Sequence, residues 1–170
     1  TGNRNVTRHA NIFALLYNLT SDERKEKIIT HVIKNKEIPA ITTPYFEFFE
    51  LDAMCKIGEF DYMTDMLKSY WGGMLAHGAT TIWENWPGAT WDRSRNHPMF
   101  GAVAAYLFDY LLGICQEKGT VGYGKVVIRP QLTEKLNQVS GSRAVPAGTV
   151  GGLMAPHKMP LLLRKTDISI

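Results

Sequence analysis

Glu84 is the residue of this chain best placed to do chemistry. It lies between Trp83 and Trp86 in the run Gly78-Ala79-Thr80-Thr81-Ile82-Trp83-Glu84-Asn85-Trp86, and Ser94-Arg95-Asn96-His97-Pro98 follows a short loop later. Gly, Thr and Pro are too dense here for a helix interior, so the segment reads as an extended loop. Along such a segment Thr80, Ile82, Glu84 and Trp86 point to one side, and Thr81, Trp83 and Asn85 to the other. A carboxylate beside indole rings is partly desolvated, which makes it a stronger base. Trp faces stack on the C–H faces of sugars, and neighbouring Asn, Arg and His side chains hydrogen-bond hydroxyls. The residue types suit carbohydrate chemistry. They also fit a plainer reading, favoured on composition alone, in which Trp83 and Trp86 are core aromatics and Glu84 caps the next helix or pairs with Arg93 or Arg95.

His97 carries two readings of equal weight. It directs its imidazole into the cavity of Glu84 and bonds a substrate hydroxyl, or it satisfies backbone groups at a helix start. His9, His31, His77 and His157 are isolated and read as surface or core residues. Glu47 and Glu50 stand i, i+3, as a carboxylate pair or, the more ordinary case, as a solvated helix edge or an ion pair with a neighbouring helix. Gly122-Tyr123-Gly124 has no helix after it and is not expected to hold phosphate. No cluster of carboxylates, cysteines or histidines stands at ligand spacing, so neither a metal nor a cofactor is expected. Cys55 and Cys115, each inside an expected helix, read as small buried hydrophobes.

The elements that must position these residues are mostly helical. Ile12, Leu15, Leu16 and Leu19 recur at i, i+3, i+4, i+7 and predict a helix over 5–18. Thr20-Ser21-Asp22-Glu23 has the form of a capping box, and Ile28, Ile29, Val32 and Ile33 carry the next stripe, antiparallel to the first. Thr43-Pro44 supplies an N-cap and a first-turn proline. Behind it the residues from Tyr45 to Ile57 are apolar almost all round, as in a helix enclosed by others, and Gly58 ends that helix. Tyr62, Met63, Met66, Leu67, Tyr70 and Trp71 mark its partner. After the Trp/Glu loop, Phe100, Val103, Ala104, Leu107, Phe108, Leu111, Leu112 and Cys115 predict one long helix. Beyond Gly119 the period changes: Lys125–Pro130 reads as a short strand, and 144–150 as a weaker one.

At 170 residues with 45% hydrophobic content the chain is sized for a packed globular domain. Its net charge of +3, from 19 basic and 16 acidic residues, is spread without a basic block. Nothing there calls for nucleic acid or an anionic membrane as partner. No apolar run approaches the roughly 20 residues of a membrane span, and no signal-peptide pattern opens the chain. The abrupt start at Thr1-Gly2-Asn3-Arg4 is expected of a piece of something longer. No compartment follows from these features.

The 78–86 run, the Ser94-x-Asn96-His97 element, Gly101-Ala102-Val103-x-x-Tyr106-Leu107 and Leu112-Gly113-Ile114 together resemble the C-terminal half of the catalytic domain of bacterial α-L-rhamnosidases, glycoside hydrolase family 78. Arg8-His9-Ala10-Asn11, Thr43-Pro44-Tyr45 and Gly122-Tyr123-Gly124 leading to Ile128-Arg129-Pro130 fit as well, so the resemblance covers most of residues 4–137 in order. It implies a mainly α fold: antiparallel helical hairpins forming part of an (α/α)6 barrel over 1–119, then the start of a β-sandwich over 120–170. The activity it implies is hydrolysis, with inversion, of terminal α-L-rhamnosyl residues, with a rhamnose-containing glycoside or polysaccharide as substrate. By the same resemblance Glu84 is the general base, His97 contacts the sugar, and Trp83 and Trp86 wall the pocket. The general acid belongs to an upstream segment that this chain lacks, so the fragment alone is expected to be inactive. Half a barrel leaves apolar helix faces uncovered, and self-association is expected to cover them. Two other classes stay open: another (α/α)-barrel glycosidase or lyase, and a non-catalytic helical interaction module.

Overall fold

The computed structural model describes residues 5–88, 94–131 and 133–154. They are mainly helical, with two small antiparallel sheets towards the C-terminus. The described residues fall into two compact units: one holds those up to Glu59 together with Met66–Gly101, the other Phe60–Asp65 together with those from Ala102 onward.

In the first unit, α1 (Arg8–Leu16) packs on α3 (Pro44–Lys56). The joint is aromatic, with the Phe13 ring 5.6 Å from Phe46 and 5.4 Å from Phe49. Ile12 and Leu15 are buried as their spacing requires, whereas Leu19 lies beyond the helix end and is exposed. α2 (Asp22–Ile28) continues into a π-helical turn, Ile29–Ile33, which buries Ile29, Val32 and Ile33. The expected capping box does not form: Ser21 is the N-cap, and the Thr20 hydroxyl donates to its carbonyl instead.

α3 buries Glu47, Glu50, Leu51, Ala53, Met54 and Cys55, but Tyr45 is exposed and Phe46, Phe48 and Phe49 are half-buried, so it is not enclosed on every side. Thr43 precedes it in extended conformation and Pro44 opens it, the position where a missing N–H costs nothing. Gly58 follows its C-cap with φ of 86°, a left-handed exit that glycine takes without strain. α4 (Phe60–Ser69) and α5 (Trp71–Ala76) then replace the single partner helix, with Tyr70 between them.

The long helix expected after the Trp/Glu loop is instead a series of short pieces. A 3-10 turn at Pro98–Phe100 belongs to the first unit. In the second unit come α6 (Val103–Tyr106) and a π-helical turn, Leu107–Leu111. Cys115, expected inside that helix, sits on strand β1 (Ile114–Gln116). Gly113 makes the switch. Its φ is +68°, its carbonyl accepts the Arg129 amide at 2.8 Å, and a Cβ there would stand 2.2 Å from the Arg129 backbone. Helical periodicity runs through this glycine, but only a residue without a side chain fits such a turn.

β1 pairs antiparallel with β2 (Val126–Ile128), Cys115 opposite Val127. β3 (Val139–Val145) and β4 (Gly148–Met154) form a hairpin with Val145 opposite Gly148, so the run expected as one weak strand straddles the turn. Arg143 ties the hairpin to its unit: it donates to the Ile114 carbonyl at 3.0 Å, pairs with Asp109 at 3.0 Å, and lies 5.0 Å over the Phe108 ring. No helix among the described residues is long and apolar enough to cross a membrane.

Candidate active site

The loop with Glu84 is built from two arms, 80–86 and 94–98, cross-bonded in antiparallel fashion. The Glu84 amide donates to the Ser94 carbonyl at 2.9 Å, and the His97 amide to the Ile82 carbonyl at 2.7 Å. The Thr81 hydroxyl donates to the Arg95 carbonyl, and the Ser94 amide to Glu84 Oε2 at 3.2 Å. Within the second arm the Asn96 amide donates to Ser94 Oγ at 3.3 Å. These bonds satisfy backbone groups that no sheet or helix provides for. They also bring Glu84 and His97 onto facing arms although 13 positions separate them in sequence. Arg93, one of the expected ion-pair partners of Glu84, lies outside the described residues, as do Trp91 and His157.

The two tryptophans have different seats. Trp83 is half-buried with the Arg95 guanidinium 4.8 Å above its ring, a cation–π contact. Trp86 is wedged into the first unit: it stacks on Tyr70 at 4.7 Å and 27°, meets Trp71 edge-on at 4.9 Å, and donates Nε1–H to the Ile41 carbonyl at 3.1 Å. Half-buried His97 tilts against Phe100 at 5.0 Å, and Phe100 lies 5.5 Å from the exposed ring of Tyr45 at the start of α3. The Nδ1 atom of His97 is buried and meets no protein partner.

Beneath this loop lies a cluster whose place the sequence reading missed. Glu47 and Glu50 are 1% and 0% exposed, neither of them on a solvated helix edge. Glu50 takes the other alternative, an ion pair with a neighbouring helix, Arg8 Nη1 to Oε1 at 2.8 Å. Neither oxygen of the Glu47 carboxyl has a hydrogen-bond partner, and the buried Trp71 Nε1 likewise has none. Burial, then the charge of Glu50, pushes the Glu47 carboxyl up to about 9 against the opposing pull of Arg8. Burial and the same three residues act on the Tyr70 hydroxyl, whose net shift is upward. The signal was in the spacing: Arg8 stands at i−4 from Ile12, Glu47 at i−4 from Leu51 and Glu50 at i−4 from Met54, so all three lie on buried stripes.

His9 and His31 are exposed, and exposed His77 bonds the Gly73 carbonyl through Nδ1 at 2.8 Å. Among the described residues no group of three or more His, Cys, Asp or Glu is arranged to hold a metal ion.

Residues 2–111 match the family model of the bacterial α-L-rhamnosidase six-hairpin glycosidase domain. The chain belongs to this family. Its relatives are named as glycoside hydrolases. An α-L-rhamnosidase of Alteromonas sp. (strain LOR) is 29% identical over 111 residues, covering 58% of this chain and 12% of that protein. An α-L-rhamnosidase of Formosa agariphila is 26% identical over 164 residues, covering 85% of this chain and 17% of that protein. The crystal structure of a family 78 rhamnosidase of Bacillus sp. GL1 superposes with a TM-score of 0.73 at 25% identity, covering 88% of this chain and 16% of that one. The chain thus spans 12% to 17% of the length of the curated relatives it matches. The rhamnosidase-family match ends at Leu111, the last residue of the π-helical turn, and takes in Trp83, Glu84, Trp86 and His97.

Proposed function

We propose that this chain is part of an inverting glycoside hydrolase that releases terminal α-L-rhamnose from glycosides or polysaccharides, with Glu84 as general base. The observation that carries the reading is the cross-bonding of the two arms, which puts Glu84 opposite Ser94, and Ser94 stands three positions before His97 on the facing arm. The Ser94 amide orients the Glu84 carboxylate, which draws a proton from water as that water attacks the anomeric carbon. A second carboxyl, roughly 6.5–9.5 Å away across the scissile bond, protonates the departing oxygen. That acid comes from the longer parent, and this chain alone does not turn over. Since His97 Nδ1 is buried, its bond to a sugar hydroxyl falls to Nε2. Trp83 and Trp86 offer indole surface to the apolar face of the ring. The helices form half of an (α/α)6 barrel over 1–119, and 120–170 opens a β-sandwich.

Following the parent's reaction on an aryl α-L-rhamnoside by proton NMR tests the reading. The first sugar released carries the inverted anomeric configuration; retained configuration, or no hydrolysis, overturns it. On the chain itself, titration with L-rhamnose shifts the Trp83 and Trp86 indole N–H signals, and the absence of any shift speaks for a purely structural loop.

A further inference from the structure

A buried carboxyl without a hydrogen-bond partner is a costly thing to retain, because a well-packed apolar residue of similar size does the packing without the desolvation. Glu47 is such a group, at 1% exposure and one helical turn inside α3. Two connections lead from it to the Trp/Glu loop. Along the chain, its amide bonds the Thr43 carbonyl at 3.2 Å, and two residues before Thr43 the carbonyl of buried Ile41 receives the Trp86 indole N–H at 3.1 Å. Through space, Glu47, Glu50 and Arg8 all act on the hydroxyl of Tyr70, and the Tyr70 ring stacks on Trp86 at 4.7 Å. The charged and titratable groups that interact with Glu47 are Arg8 from α1, Glu50 from α3 itself, and Tyr70 from the α4–α5 junction.

We propose that Glu47, with the Arg8–Glu50 ion pair, is a positioning residue that sets the Tyr70–Trp86 stack and, through Trp86, the seat of the loop that carries Glu84. The uncharged carboxyl is the form compatible with this burial, and it leaves Arg8 to Glu50. Ionisation places a second negative charge beside Glu50 and the Tyr70 hydroxyl, and the stack on Trp86 yields. Its bearing on catalysis rests on the role proposed for Glu84; the movement of the stack does not, so the two fail separately.

Tryptophan emission of this chain, followed from pH 6 to 10.5, tests the proposal. The wild type shows a step with its midpoint near the value of about 9 given by the buried carboxyl. Glu47→Gln abolishes the step, and Glu47→Met serves in its place should the amide variant not fold. Tyr70→Phe, which keeps the stacked ring but removes the hydroxyl that Glu47 acts on, weakens the step, and Trp86→Phe removes most of its amplitude; phenol ionisation alone leaves the step intact in Glu47→Gln. A wild type without the step, a step that survives in the Glu47 variants, or one unaffected by Trp86→Phe overturns the proposal.

Discussion

Ser94 and Glu84 hold each other twice: the Ser94 amide donates to Glu84 Oε2 at 3.2 Å, while the Ser94 carbonyl accepts the Glu84 amide at 2.9 Å. One residue thus fixes both the backbone and the carboxylate of the proposed base. Ser94→Pro deletes the donor while leaving the Glu84 side chain intact. A hydrogen bond to a charged group contributes about 1.5–3 kcal/mol. The expected result is a fall in kcat/KM of the full-length parent of about 10-fold or more. Ser94→Ala, which keeps the amide and loses only the Oγ bond to Asn96, falls less. Steady-state kinetics on an aryl rhamnoside check the order of the two.

Removing one partner of a buried ion pair leaves the other charged in the interior, at a cost of about 3–5 kcal/mol. Arg8→Met strands Glu50, which is 0% exposed, and is expected to destabilise this chain by that amount in urea unfolding. Replacing both, Arg8→Met with Glu50→Leu, recovers most of the loss. A single variant as stable as the wild type contradicts the pairing.

Much of this was legible in the sequence, and the failures have physical causes. Pro44 and Gly58 bounded α3 because a first-turn proline and a left-handed glycine exit act locally, although the Thr43 side chain makes no capping bond. The helix expected through Cys115 failed because the apolar period continues past Gly113, where the fold needs a left-handed turn against Arg129. The buried place of Glu47 and Glu50 was missed because charge argued for solvent, while their register with Leu51 and Met54 argued for the core. For the loop, residue types suggested sugar chemistry, but the pairing of 80–86 with 94–98 is long-range and left no local pattern.

Glu47 also makes stability depend on pH. Its carboxyl rises from 4.5 unfolded to about 9 folded, so between those values the native state holds a proton that the unfolded state has lost. Its contribution is complete below 4.5 and is lost as pH rises through about 9, by at most ~1.4 kcal/mol per pH unit. Glu47→Gln removes this slope, so the variant gains on the wild type as pH increases. Urea midpoints measured at pH 5, 7 and 9 check it; parallel curves for the two proteins speak against a buried protonated Glu47.

Leu19, Leu75 and Met99 are each more than 70% exposed on the first unit. The half-barrel account adds to them the helix faces that further hairpins would cover, and contiguous apolar faces drive association. Light scattering at high concentration is expected to find a dimer or larger species, and a monodisperse monomer counts against the half-barrel account.

The role of Glu84 is tested most directly by the turnover of the full-length parent with Glu84→Gln on aryl α-L-rhamnoside. The amide preserves shape but cannot take the proton, and loss of a general base costs about 100- to 10,000-fold in rate. The account predicts a fall of that size with the thermal midpoint unchanged; a variant that folds and turns over at the wild-type rate contradicts it.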